Sequence, residues 1–127
     1  MKTIAFLGSG VMGEALATAA VKGLAPDEVL VTDQDRSKAQ SLAERLGCGL
    51  ADGNLAAVRQ ARYLVLCVKP QYIKGLLAEI AGELSAILAA GEQRILVSIV
   101  AGVESEVIWE ALGIEPERLS IIRMLPN

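Results

Sequence analysis

Residues 3–13 set a short apolar run, Thr3–Leu7, directly before Gly8-Ser9-Gly10-Val11-Met12-Gly13 and an alanine-rich stretch. A strand that must pass at once into a helix through three glycines at this spacing has few ways to fold. Gly8 permits the tight turn, Gly10 lets a diphosphate approach the backbone, and Gly13 lets the helix lie close to the sheet. The N-terminus of that helix offers unpaired N–H groups and a partial positive charge to an anion. The pattern predicts a dinucleotide site carried by Gly8, Ser9, Gly10, Val11, Met12 and Gly13.

The remainder of the chain repeats the alternation. A helix is expected over Val11–Lys22, closed by Gly23, then a strand over Glu28–Thr32 and a helix over Ser37–Leu46, stopped by Gly47. Gly49–Ala51 reads as a short third strand, and Asn54 as the N-cap of a helix over Leu55–Gln60. Tyr63–Val68 is almost continuously apolar, as in a strand covered on both faces, and Lys69-Pro70 ends it. Gln71–Leu84 carries Ile73, Leu76, Leu77, Ile80 and Leu84 on one helical stripe. A strand over Arg94–Ile99, a helix over Glu104–Leu112 and a strand over Leu119–Met124 complete the series. Strands and helices in strict alternation predict one α/β domain, a Rossmann-type, doubly wound, mostly parallel sheet over 1–127.

Composition removes several function classes. The 127 residues carry a net charge of −3, 3% aromatics and no basic stripe, which argues against nucleic acid. No apolar run reaches the roughly 18–20 residues of a membrane span, and the start lacks a signal-peptide pattern, so a cytoplasmic protein is expected. Two distant cysteines, Cys48 and Cys67, in apolar surroundings make neither a disulfide framework nor a metal site. With no histidine, the commonest general base and zinc ligand are missing.

Asp33 stands at the end of the second strand, about 20 residues past Gly13, where a carboxylate can bond the adenosine ribose of NAD. Arg36 and Lys38 follow closely and could instead hold the 2′-phosphate of NADP. The cofactor expected is therefore NADP or NAD, with the choice open.

Four segments carry a resemblance. Phe6-Leu7-Gly8-Ser9-Gly10-Val11-Met12-Gly13, Cys67-Val68-Lys69-Pro70-Gln71, Ser98-Ile99-Val100-Ala101-Gly102-Val103 and Arg123-Met124-Leu125-Pro126-Asn127 come in the order and spacing of the N-terminal domain of pyrroline-5-carboxylate reductases. The chain resembles that family along its whole length. The resemblance implies hydride transfer from NADPH or NADH to the imine of 1-pyrroline-5-carboxylate, giving L-proline. It implies that Asn54 touches the cofactor, and that Cys67, Val68, Lys69 and Pro70, with Ile99, Val100 and Ala101, line the nicotinamide side. It leaves the catalytic residues unassigned. It also implies a C-terminal helical domain for dimerisation and substrate that this chain lacks, hence a homo-oligomer for the longer protein and an inactive fragment here. The apolar C-terminal edge fits a surface meant for a partner. Asp33-Gln34 departs from the Asn-Arg or serine common in the family, which bears on NADP preference. Other nicotinamide enzymes of this fold, namely ketopantoate or hydroxy-acid dehydrogenases and F420-dependent NADP reductases, are the alternatives, as is a non-catalytic nucleotide-binding module. The V-K-P-Q segment and the Pro-Asn ending favour the reductase.

Overall fold

The computed structural model describes residues 1–124. A six-stranded sheet, all parallel, has the order β3-β2-β1-β4-β5-β6. The strands are β1 (Lys2–Leu7), β2 (Val29–Thr32), β3 (Gly49–Leu50), β4 (Ala61–Leu66), β5 (Ile95–Ser98) and β6 (Ser120–Arg123). The helices are α1 (Val11–Gly23), α2 (Arg36–Leu46), α3 (Asn54–Gln60), α4 (Ile73–Ala89) and α5 (Ser105–Leu112). This is the doubly wound sheet that the alternation predicted, with the order reversing between β1 and β4.

Both faces of the central strands are covered, which is why β1 and β4 read as unbroken apolar runs. Leu7, Leu64 and Leu66 face α3, α4 and α5, where they meet Val58, Leu77, Ile80, Leu84 and Ile108. Phe6, Val31 and Val65 face α1 and α2, where they meet Ala17, Leu42 and Ala43. All five stripe residues expected on α4 are buried. β6 lies at the sheet edge with Ile122 exposed, as is Met124 directly after it. Among the described residues, no helix is long and apolar enough to cross a membrane.

Several boundaries moved, each for a local reason. β4 starts at Ala61 and stops at Leu66, because β1 supplies ladder partners only from Lys2 to Leu7. α4 starts at Ile73, after a 3₁₀ turn over Pro70–Tyr72 with the proline at its head. It then runs on to Ala89, since Ser85-Ala86-Ile87-Leu88-Ala89 contains no breaker. The expected N-cap role of Asn54 is corrected. Gly53 caps α3 without a side chain, Asn54 is itself the first helical residue, and its amide Nδ2 donates to Glu79 Oε1 at 2.8 Å. Leu125, Pro126 and Asn127, the end of the Arg123-Met124 segment, lie outside the described residues.

One charged residue belongs to the fold rather than to the surface. Arg94 is 3% exposed; its guanidinium donates from Nε to Val58 O and from the two terminal nitrogens to Arg59 O and Gln93 O, each at 2.8 Å. It satisfies the carbonyls at the end of α3, which the helix cannot bond itself.

Candidate nucleotide site

The C-terminal ends of β1, β2 and β4 surround a cleft of about 450 Å³ where the strand order reverses. Open parallel sheets bind ligands at this place, because adjacent loops part there in opposite directions. Gly8, Gly10, Asp33, Asn54, Cys67, Val68 and Lys69 line it, as the sequence placed them together. Lys38, Gln34, Gln71, Tyr72, Gly75 and Glu79 line it as well.

The three glycines of the loop are held by different constraints. Gly8 sits at φ +111°, and a Cβ there would approach the Cys67 carbonyl carbon to 2.9 Å. A Cβ on Gly13 would fall onto the Gly8 carbonyl oxygen. Both positions are therefore glycine because of the protein's own backbone. Gly10 differs: its φ is −71°, open to any residue, and a Cβ there would meet no protein atom within 4 Å. Nothing in the chain demands glycine at Gly10. The space in front of it is what a bound diphosphate would fill.

Beyond Gly10 lies the start of α1. Gly10 offers no side chain to cap the helix, and the first intrahelical bond runs from Glu14 N–H to Gly10 O. The N–H groups of Val11, Met12 and Gly13 precede that bond, so the positive end of a helix of 13 residues faces outward. Val11 is 85% exposed, with Met12 beside it also exposed, so the approach is open.

Asp33 follows β2 and is tied to the loop. Its Oδ2 accepts from Ser9 N–H at 2.7 Å and from the Ser9 hydroxyl at 3.1 Å, and its Oδ1 accepts from Asp35 N–H at 2.8 Å. Ser9 is buried, so these bonds fix the loop against the end of β2. Asp35 in turn starts α2, accepting from Lys38 N–H and from the Ser37 hydroxyl. The Ser37 bond, more than any other contact, holds the Asp35 carboxyl below its ordinary pKa.

Not every expected residue faces the cleft. Arg36 is absent from its lining, and its guanidinium bonds Asp52 at 3.1 Å on the loop before α3. Ser9, Val11, Met12, Gly13 and Pro70 lie beside the cleft without lining it. Ile99, Val100 and Ala101 follow β5 and are outside the lining too. The side chain of Val100 packs into the core, and its N–H donates to the buried Ser98 hydroxyl at 3.2 Å. Ser98 thus shapes the chain as it leaves the sheet. Cys67 is buried between the loop and β4, and burial pushes its thiol up to about 12.

Tyr72, Gly75 and Glu79 were not anticipated. They stand at i, i+3 and i+7 on the turn that opens α4 and on its first two turns, so they share a face. That spacing, directly after Pro70, was the available signal. It was hidden because a polar helix face normally points to solvent.

With the geometry described, the chain can be set against known proteins. The family model described as NADP oxidoreductase, coenzyme F420-dependent, matches residues 3–102. A pyrroline-5-carboxylate reductase of Corynebacterium melassecola is 33% identical over 128 residues, taking in 100% of this chain and 45% of the relative. The structure of a pyrroline-5-carboxylate reductase from Coxiella burnetii superposes with a TM-score of 0.82 at 27% identity, over 99% of this chain and 44% of that one. A Plasmodium falciparum pyrroline carboxylate reductase with NADP bound gives 0.76 at 22% identity, over 99% and 42%. The chain thus spans less than half the length of the relatives it matches.

Proposed function

The chain belongs to the family of coenzyme F420-dependent NADP oxidoreductases, and from that membership we propose that it is the nucleotide-binding part of a pyrroline-5-carboxylate reductase. The open space at Gly10 carries the reading. A glycine that the protein's own packing does not require, at an uncapped helix start in a cleft at the sheet's switch point, fits a bound diphosphate. An F420-dependent NADP reductase is the alternative that the family match over residues 3–102 supports. The named reductase relatives match along the whole chain, which favours the imine as substrate.

In this reading the backbone of Gly8 to Gly13 and the start of α1 take the diphosphate of NADPH or NADH. Asp33 holds the adenosine ribose, and Asn54, steadied by Glu79, closes the adenosine side. Cys67, Val68 and Lys69, which line the cleft, form the nicotinamide side, with Pro70 and the backbone of Ile99, Val100 and Ala101 bordering it. A nicotinamide held there would supply the hydride chemistry needed at the imine carbon of 1-pyrroline-5-carboxylate. A protonated imine is already electrophilic, so the protein's task is to orient and to exclude water, which a chain without histidine can perform. Substrate contacts and a homo-oligomeric interface would come from the further length that the relatives have, in a cytoplasmic protein acting in proline biosynthesis.

A fluorescence titration of the purified chain with NADH and with NADPH tests the site. At least one should bind saturably, and Gly10→Ala should weaken that binding by about ten-fold or more, a loss of about 1.4 kcal/mol. Its melting temperature should change little, because an alanine in the N-cap place costs at most about 1 kcal/mol. Binding of neither cofactor to the folded wild-type chain would refute the reading.

A further inference from the structure

The corner of the cleft at the end of β2 bears on which cofactor enters, given the reading of this cleft as a nicotinamide dinucleotide site. A 2′-phosphate brings roughly 1.5 to 2 further negative charges to the adenosine ribose and needs cations to receive them. One carboxylate, Asp33, lines that corner, and a second, Asp35, follows two residues on as the N-cap of α2. Asp33 is fixed by three donors from Ser9 and Asp35, so it cannot swing aside without releasing the glycine loop. Asp35 is fixed by Ser37 and by the first turn of α2.

Two cations are close enough in sequence to offset them, and only one is placed to do so. Lys38 lines the cleft. Arg36, whose planar fork would match a phosphate better, is outside the lining and bonds Asp52 across 3.1 Å. Asp52 sits in the loop between β3 and α3, is 86% exposed, and does not line the cleft.

We propose that Asp52 is a specificity-determining residue acting from outside the cleft: by holding Arg36 outside the lining at the corner that Asp33 occupies, it turns this chain toward NADH and against NADPH. Asp33 alone favours an unphosphorylated ribose by accepting its hydroxyls. The Arg36–Asp52 pair adds to that choice by removing the better of the two phosphate-binding cations. The pair is exposed and screened by water, so its share of the preference is small and that of Asp33 larger.

The test is a set of titrations of the chain with NADH and NADPH, followed by nicotinamide fluorescence, on wild type, Asp52→Ala and the double variant Arg36→Ala/Asp52→Ala. Wild type should bind NADH more tightly, by about ten-fold. Asp52→Ala should tighten NADPH two- to five-fold, the range an exposed ion pair allows, and leave NADH unchanged. The double variant should lose that gain, because the gain belongs to Arg36. Adenosine 2′,5′-bisphosphate, which carries the 2′-phosphate without the nicotinamide half, should follow the NADPH series by calorimetry. Tighter binding of NADPH by the wild type would overturn the proposal. So would an Asp52→Ala variant whose NADPH-to-NADH ratio is unmoved, or one whose ratio moves only because NADH weakens. A wild-type chain that binds neither cofactor would overturn the underlying site reading and this inference with it.

Discussion

The two rims of the sheet use their polar residues differently. Where the strands begin, side chains are spent on the protein's own groups, mostly backbone carbonyls. Arg94 holds the carbonyls of Val58 and Arg59, the Lys2 ammonium reaches Asp27 O at 2.6 Å, and the Thr3 hydroxyl bonds the Glu28 carboxylate at 2.8 Å. Where the strands end, Asp33 braces a loop, while Gln34, Lys38, Lys69 and Gln71 stand around a cleft with no side-chain hydrogen bond among the described residues. One rim closes the fold and the other leaves groups for a ligand. Substitutions at the first should be read in stability, and at the second in binding.

The largest expected effect tests where that division breaks. Gly13 lies at the cleft rim yet answers to packing, since a Cβ would fall onto the Gly8 carbonyl oxygen. Neither atom is the far end of a flexible side chain, so the helix or the loop must move. Gly13→Ala should cost about 3–5 kcal/mol and lower the melting temperature sharply, or leave no folded chain. If Gly13→Ala melts like wild type and only binding falls, the loop geometry described above is wrong.

The next effect belongs to the opposite rim. Arg94→Met removes three charge-assisted bonds to backbone carbonyls and keeps most of the buried stem. It should cost about 2–4 kcal/mol in urea melts, with Arg94→Lys falling between Met and wild type because an ammonium cannot span all three acceptors. Cofactor affinity of whatever remains folded should be unchanged. A parallel loss of affinity would mean that the two rims are coupled through α3 and that their division of labour fails.

How much of this the sequence revealed depends on the distance between partners. The glycine loop, Asp33 and the α4 stripe were legible because each pattern is complete within one short segment. Arg94 was not. As a lone charge heading an apolar strand it looks solvated, and the carbonyls that bury it lie 35 and 36 residues away. Asn54 misled for a similar reason. A local rule assigned it to the backbone of its own helix, while its partner Glu79 is 25 residues distant on α4. Arg36 and Lys38 looked interchangeable two positions apart, and only the fold, by bringing Asp52 against Arg36, separates them.

The smallest effect concerns Cys67, which stands at the cleft rim but takes no charge there. Its burial beside Gly8 and Gly13 pushes the thiol up to about 12, against roughly 8.5 in an unfolded chain. The folded protein therefore keeps this proton where the unfolded one releases it. Below about pH 8.5 both states are protonated and the residue adds no pH dependence. Between there and about 12 the unfolded state gains, so stability falls as pH rises, by at most about 1.4 kcal/mol per pH unit. Urea melts from pH 8 to 10.5 should show a shallower decline for Cys67→Ala than for wild type. In the native protein at pH 8, iodoacetamide should modify the half-buried Cys48 before Cys67. Equal rates would mean that the cleft opens far enough to hydrate the thiol. Cys67 would then have to be counted among the groups this rim offers to a ligand, rather than as the small side chain that lets the glycine loop pack against β4.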